Sequence, residues 1–264
     1  MPEPKIWCCL TLVLALACGS AAQAAPCAGC ALPGPVADQQ VVASAAGTQA
    51  GPQPSALGSF ASGTLDAYLL GAGLGLLDVA GLHRLDHPVH AQYSGIWSVG
   101  KSPQFPEELI GLTLAAAVWE GGRSTLGRTL WQSLDAAAMA GISTQALKWT
   151  FQRMRPSTTS NPDRWFQGVH NQSFPSGDVS SITALVTPLI LQYHRSAPAV
   201  DALAALPVFD MAARMKAHGH WFTDTVAGAA VGVASGYFAH RMHSPFLLGL
   251  LPGGFYVGLR ERFR

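Results

Sequence analysis

The sequence predicts an all-α fold, a single bundle of about six helices, and three observations predict it. Apolar segments recur with helical period at 64–82, 107–120, 127–152, 179–195, 200–217 and 220–241, separated by Gly, Pro and charged residues. No internal repeat and no sustained period-2 alternation interrupts them. Of the 264 residues, 49% are apolar and only 12% are charged, where an average soluble chain carries about 25%. That composition excludes a disordered chain. A net charge of +1 excludes a nucleic-acid binder that works through a basic face. A low-charge helical protein at or near a membrane fits these numbers.

Taken in order, residues 1–24 read as a secretion signal. Lys5 is its positive end, 6–17 its apolar stretch and Ala22-Gln23-Ala24 an A-x-A cleavage site. The apolar stretch is short of the roughly 20 residues that span a bilayer. Export is therefore expected, to a periplasmic or membrane-associated position facing outward, with an uncleaved anchor as the alternative. Cys8, Cys9 and Cys18 would leave with the signal. Cys27 and Cys30 form a C-x-x-C with no helix or strand to lower a thiol pKa, so a small local disulfide is expected rather than a redox centre. Residues 25–57, rich in Ala, Gly, Pro, Ser and Gln, carry Asp38 as their one charge and read as a flexible tether. The folded domain is expected over 58–264.

Within that domain, Gly71, Gly73 and Gly75 are not followed by a βαβ unit and are read as a packing feature. His83, His87 and His90 surround Asp86, but Pro88 breaks the helix that clean i,i+4 ligation needs, so no metal site is expected there. Gly228, Gly232 and Gly236, four residues apart, give the last helix a smooth face for close packing. The longest uncharged runs inside the helices, 179–193 and 225–239, are 15 residues each, below the roughly 18 of a confident span. A soluble or membrane-apposed domain is expected in preference to an integral one. The 253–260 stretch alternates as a strand would and is read as a tail packed on the bundle.

Three segments carry chemistry. Lys148 and Arg155 lie two helical turns apart and are expected to project from one face, with Pro156 ending the helix. Phe174-Pro175-Ser176-Gly177-Asp178 opens an apolar helix with free backbone N–H groups and a hydroxyl, an anion-binding terminus. In Arg214-x5-His220-x3-Asp224 the carboxylate is one turn from the imidazole, near enough to fix its tautomer. Cations, a helix N-terminus and an oriented histidine equip a site to grip a phosphoryl group and attack it with imidazole nitrogen. Side chains would neutralise the charge, so neither metal nor cofactor is expected. Taken singly, these residues have plainer readings: Lys148, Arg153, Arg155 and Arg164 as a solvated basic helix end, Asp178 as an N-cap, His218 as a loop histidine beside Gly219.

In this order and spacing, K-x6-R-P, P-S-G and R-x5-H-x3-D resemble the motifs of the type 2 phosphatidic acid phosphatase (PAP2) superfamily, which includes bacterial class A acid phosphatases and vanadium haloperoxidases. The resemblance runs from Lys148 to Asp224, and the preceding helices fit the family's bundle. It implies that His220 is the nucleophile of a phosphohistidine mechanism and that Asp224 orients it. It further implies that Lys148, Arg155, Ser176, Gly177 and Arg214 hold the phosphate oxygens. Two positions depart from the pattern. Ala213 stands where the family usually has Ser, and Asp178 where P-S-G-H carries the histidine that protonates the leaving group. Asp178 can take that role only while it carries a proton. The expected activity is hydrolysis of a phosphomonoester or pyrophosphate, with a phosphorylated lipid favoured over a small soluble ester and a membrane surface as a partner. A vanadium-dependent haloperoxidase and a non-catalytic phosphate or lipid-headgroup binder are the alternatives.

Overall fold

The structure is a computed structural model and describes residues 55–87, 89–98, 102, 104–242 and 245–250. The expected signal, Cys27 and Cys30, nearly all of the expected tether, Pro88 and the 253–260 stretch lie outside those residues. The described chain is all-α, with helices α1 (Ala56–Ala80), α2 (Gln104–Glu120), α3 (Thr125–Phe151), α4 (Gly177–Tyr193), α5 (Ala205–Lys216), α6 (Phe222–Arg241) and α7 (Phe246–Leu250). Two 3-10 segments, Leu82–Leu85 and Pro198–Ala204, complete it.

Local chemistry explains where these elements depart from the expected boundaries. α1 begins inside the expected tether because the Ser55 hydroxyl accepts the Gly58 N–H at 3.0 Å, an N-cap. The expected 200–217 helix divides into a 3-10 turn opened by Pro198 and then α5. α7 is a seventh helix, short, and started by tertiary contact: its Phe246 and Leu247 N–H groups donate to the buried Asp135 carboxylate of α3 at 2.7 and 2.9 Å. Burial pushes Asp135 up to about 6 against those two bonds.

α3, α4 and α6 pack on one another at the centre, α1 lies against α3 and α6, and α2 runs along α3. The glycine ladder makes the α4–α6 contact possible. A Cβ at Gly228, Gly232 or Gly236 would overlap the Ser176 carbonyl, the Ser180 carbonyl or the Thr187 side chain respectively. α6 can therefore lie close against α4 from the Ser176 carbonyl to Thr187. Gly71 and Gly75 likewise face Leu147 and Phe151, whereas Gly73 faces open space and plays no packing role. Phe151, Trp165 and Phe174 meet edge to face at 5.1 to 5.9 Å and anchor the long loop between α3 and α4. α1 is long and apolar enough to cross a membrane, and it leaves Leu65, Leu69, Leu70, Leu76 and Leu77 exposed. On α2, Trp119 is 87% exposed.

Candidate active site

The end of α3 sets the first part of the site. Gln152 adopts the left-handed conformation (φ 44°) and its N–H bonds the Lys148 carbonyl, so the helix stops at Phe151, well before Pro156. Lys148 stays on the last turn while Arg155 lies in the loop beyond. The expected common helix face is thus absent, because the aromatic cluster around Phe151 turns the chain first. Tertiary folding nevertheless gathers the two cations, since both act electrostatically on His220.

Ser176 caps α4 without a side-chain cap bond. Its N–H donates to the Asp224 carbonyl at 2.9 Å, while its Oγ is buried with no hydrogen-bond partner among the described residues. A Cβ on Gly177 would sit 3.3 Å from the Lys148 ammonium, so that ammonium lies over the first turn of α4. Burial first, then repulsion by Arg155, lowers the Lys148 pKa, and Asp178 and Asp224 oppose the fall. A desolvated ammonium beside free helix N–H groups and an unpartnered hydroxyl is a cradle for an anion.

His220 precedes α6 and is not on it, which overturns the expected helical i,i+4 geometry with Asp224. Its Nδ1 lies 2.7 Å from the Ser173 carbonyl but 3.9 Å from Asp224 Oδ2, beyond hydrogen-bond reach. A carbonyl only accepts, so Nδ1 carries a proton, and in the neutral ring Nε2 then keeps its lone pair. The tautomer is set by Ser173. Asp224 acts one step back: its Oδ2 accepts from the Ser173 hydroxyl and, at 2.9 Å, from the Trp221 N–H that starts α6. Complete burial, then Arg155 and Lys148, hold the His220 pKa well below 6.5 against the Ser173 bond, leaving a neutral imidazole at pH 7.

Arg214 arrives from α5 already occupied. It contacts Asp178 Oδ2 at 2.9 Å, Asp210 Oδ1 at 3.3 Å and the Ser102 carbonyl at 3.2 Å. Asp178 therefore makes an ion pair rather than a helix cap. Burial, opposed by Arg214, pushes Asp210 up to about 7.

Beneath these groups lies a buried cluster that inspection of the sequence misses. Arg153 is no solvated helix end: it is wholly buried and donates to Asp78 Oδ2 (3.0 Å), Asp86 Oδ2 (2.6 Å), Asp224 Oδ1 (2.7 Å), Thr223 Oγ1 (2.9 Å) and the Pro162 carbonyl. Its guanidinium stacks 4.2 Å from the Trp165 ring centre. Ser173 and Asp210 also escape the motif reading. The one available sign is Asp78, an acid inside an apolar helix of a charge-poor chain, which demands a buried partner. The histidine group disperses: His83 Nδ1 meets the Asp78 carbonyl, His87 and His90 are exposed, and Asp86 turns to Arg153. His218 bonds the Val89 carbonyl at 2.7 Å through Nε2, a loop latch, and Arg164 is exposed.

Residues 129–247 of the chain match the PAP2 superfamily. Over 126 residues the chain is 26% identical to the lipid A 1-phosphatase of Porphyromonas gingivalis, a match covering 47% of this chain and 26% of that protein. The chain thus spans about a quarter of that relative's length. No solved structure matches the chain.

Proposed function

We propose that the protein is a phosphatase of the PAP2 type that hydrolyses a phosphorylated lipid through a phosphohistidine intermediate, without a metal. One observation carries the reading: a buried imidazole whose Nδ1 lies 2.7 Å from the Ser173 carbonyl, within the field of Lys148, Arg155 and Arg214. Its Nε2 lone pair attacks phosphorus, forming the N–P bond as the ester P–O bond breaks. Lys148, Arg155, Arg214, the Ser176 hydroxyl and the Gly177 N–H neutralise charge on the transferring oxygens. Asp178, when protonated, gives its proton to the departing alkoxide. Water then attacks the phosphohistidine, releasing phosphate and restoring the ring.

Phosphate must displace Asp178 from Arg214 to gain that cation, and a freed Asp178 is then beside the substrate as a candidate acid. The apolar, exposed face of α1 and Trp119 of α2 support an aggregated lipid substrate at a membrane surface. The activity named for the Porphyromonas protein supports the same substrate class. An exported, outward-facing location follows from residues 1–24.

The test is phosphate release by purified protein across pH 4–8, from lipid phosphates in mixed micelles and from small soluble esters, with His220→Ala as blank. Release from lipid above the blank is expected. Vanadate-dependent halide oxidation without phosphate release, or tight phosphate binding without turnover, would replace the reading with one of its alternatives.

A further inference from the structure

The segment that matches the family begins at residue 129, yet the nucleophile is held from outside it. Asp86, in the loop after α1, reaches the first turn of α6. Its Oδ1 accepts the Thr223 N–H at 2.9 Å, and its Oδ2 accepts the Thr223 hydroxyl at 2.7 Å and Arg153 at 2.6 Å. Thr223 N–H is one of the donors that a helix start leaves without an internal partner. Asp224 satisfies another, the Trp221 N–H. Two carboxylates thus cap α6, one from its own chain segment and one from a distant loop, and Arg153 bridges them. The same Asp224 holds the Ser173 hydroxyl, the Ser173 N–H donates to the Arg153 carbonyl at 3.0 Å, and the Ser173 carbonyl holds His220. The side-chain bonds in this chain are buried.

We propose that Asp86 is a positioning residue for His220: by capping α6 at Thr223 and bracing Arg153 it fixes the helix start, the Ser173 carbonyl and so the imidazole. Asp86 touches no substrate. Its kinetic consequence rests on the phosphohistidine reading, whereas its geometric consequence does not.

Asp86→Asn is nearly isosteric, keeps one acceptor oxygen and removes the charge that faces Arg153. Turnover of the folded full-length protein should fall by about 10–100-fold with KM little changed, the scale set by misplacing a reacting group. Nitrogen-15 shifts of the His220 ring, assigned by their loss in His220→Ala, should show distinct Nδ1–H and bare Nε2 signals in the unaltered protein. In Asp86→Asn those two signals should move towards each other as the ring loses its fixed tautomer. A purely structural role would lower the folded fraction and leave both the turnover per folded molecule and the ring shifts unaltered, and that result overturns the proposal. Should Asp86→Asn not fold, Thr223→Val decides: it retains the N–H but loses the hydroxyl, and unmoved ring shifts there overturn the proposal too. If the unaltered protein releases phosphate from no substrate, the phosphatase reading fails, and the ring shifts still decide the role of Asp86.

Discussion

Arg153 and Arg155 stand two positions apart in the chain and meet opposite surroundings. Arg153 is wholly buried, with three carboxylates, a hydroxyl, a carbonyl and an indole ring around its guanidinium. Arg155 is half-buried and makes no ion pair among the described residues. The same division separates two regions: a brace of Arg153, Asp78, Asp86 and Asp224, and a cradle of Lys148, Arg155, Ser176, Gly177 and Arg214. Donors of the brace are spent on the protein. In the cradle a desolvated ammonium and an unpartnered hydroxyl remain for a ligand. A buried polar group without a partner costs free energy comparable to a lost hydrogen bond, roughly 1–3 kcal/mol. Ser133, Ser180 and Ser235 also bury a hydroxyl without a partner among the described residues, so what sets Ser176 apart is the Lys148 ammonium over the adjoining Gly177. Neither charge nor sequence neighbourhood separates Arg153 from Arg155; the donors left over do, whereas Arg214 of the cradle is held by Asp178, Asp210 and the Ser102 carbonyl.

The sharpest way to break this division is at its junction, His220. His220→Ala should cut phosphate release by roughly 10⁴-fold or more, as loss of a covalent nucleophile does elsewhere, while circular dichroism stays unchanged; near-normal release would mean the cradle serves another reaction. Next in size is Asp178→Asn. Alkyl phosphates should slow by roughly 10²–10⁴-fold, the share of a general acid, and activated aryl phosphates much less. Because Arg214 would lose its competing carboxylate, inhibition by inorganic phosphate should tighten as well. Equal slowing of both ester classes would leave Asp178 as an ion-pair partner alone.

The two arginines themselves supply the third test. Arg153→Ala strands buried carboxylates and should cost about 3–5 kcal/mol in urea unfolding. Arg155→Ala should change stability by no more than about 0.5 kcal/mol, yet lower turnover about 10²-fold, the scale of one lost charge-stabilising donor. Similar effects from both substitutions would dissolve the distinction between brace and cradle.

The smallest effect concerns Asp78. Burial, opposed by Arg153, raises its pKa from 3.8 to about 6. A carboxyl with a raised folded-state pKa contributes stability fully below its unfolded value, and that contribution is lost as pH rises through about 6. Asp78→Asn cannot titrate, so stability measured from pH 4 to 6.5 should fall less steeply than in the unaltered protein. The difference is bounded by about 3 kcal/mol for a shift near two units. An unchanged slope would place the brace's proton elsewhere.

Much of this was legible beforehand. Helical periodicity and the small-residue face of Gly228, Gly232 and Gly236 are local patterns, readable because helix geometry is regular. The helical readings of Lys148 with Arg155 and of His220 with Asp224 failed because α3 ends at Phe151 and α6 starts at Phe222. Boundaries were less so. α1 gains its first turn from the Ser55 cap, and α3 loses its expected last one to a left-handed Gln152.

What the sequence alone determined, then, is the helical class and the low-charge apolar character, since each follows from residue type and short-range spacing. Tertiary structure alone decided which carboxylate answers which cation. Asp224 was expected to bond His220, but the helix starts after the histidine, so the Ser173 carbonyl took that place and Asp224 turned to Ser173 and Arg153. Asp178, Asp210, Asp78 and Asp86 are spread over four separate segments of the chain. Asp210 meets Arg214 at i,i+4 on α5, as helix periodicity allows. But Arg153 lies 75 positions from Asp78 and 67 from Asp86, and no periodicity encodes a pairing that exists only once the helices have packed and excluded water.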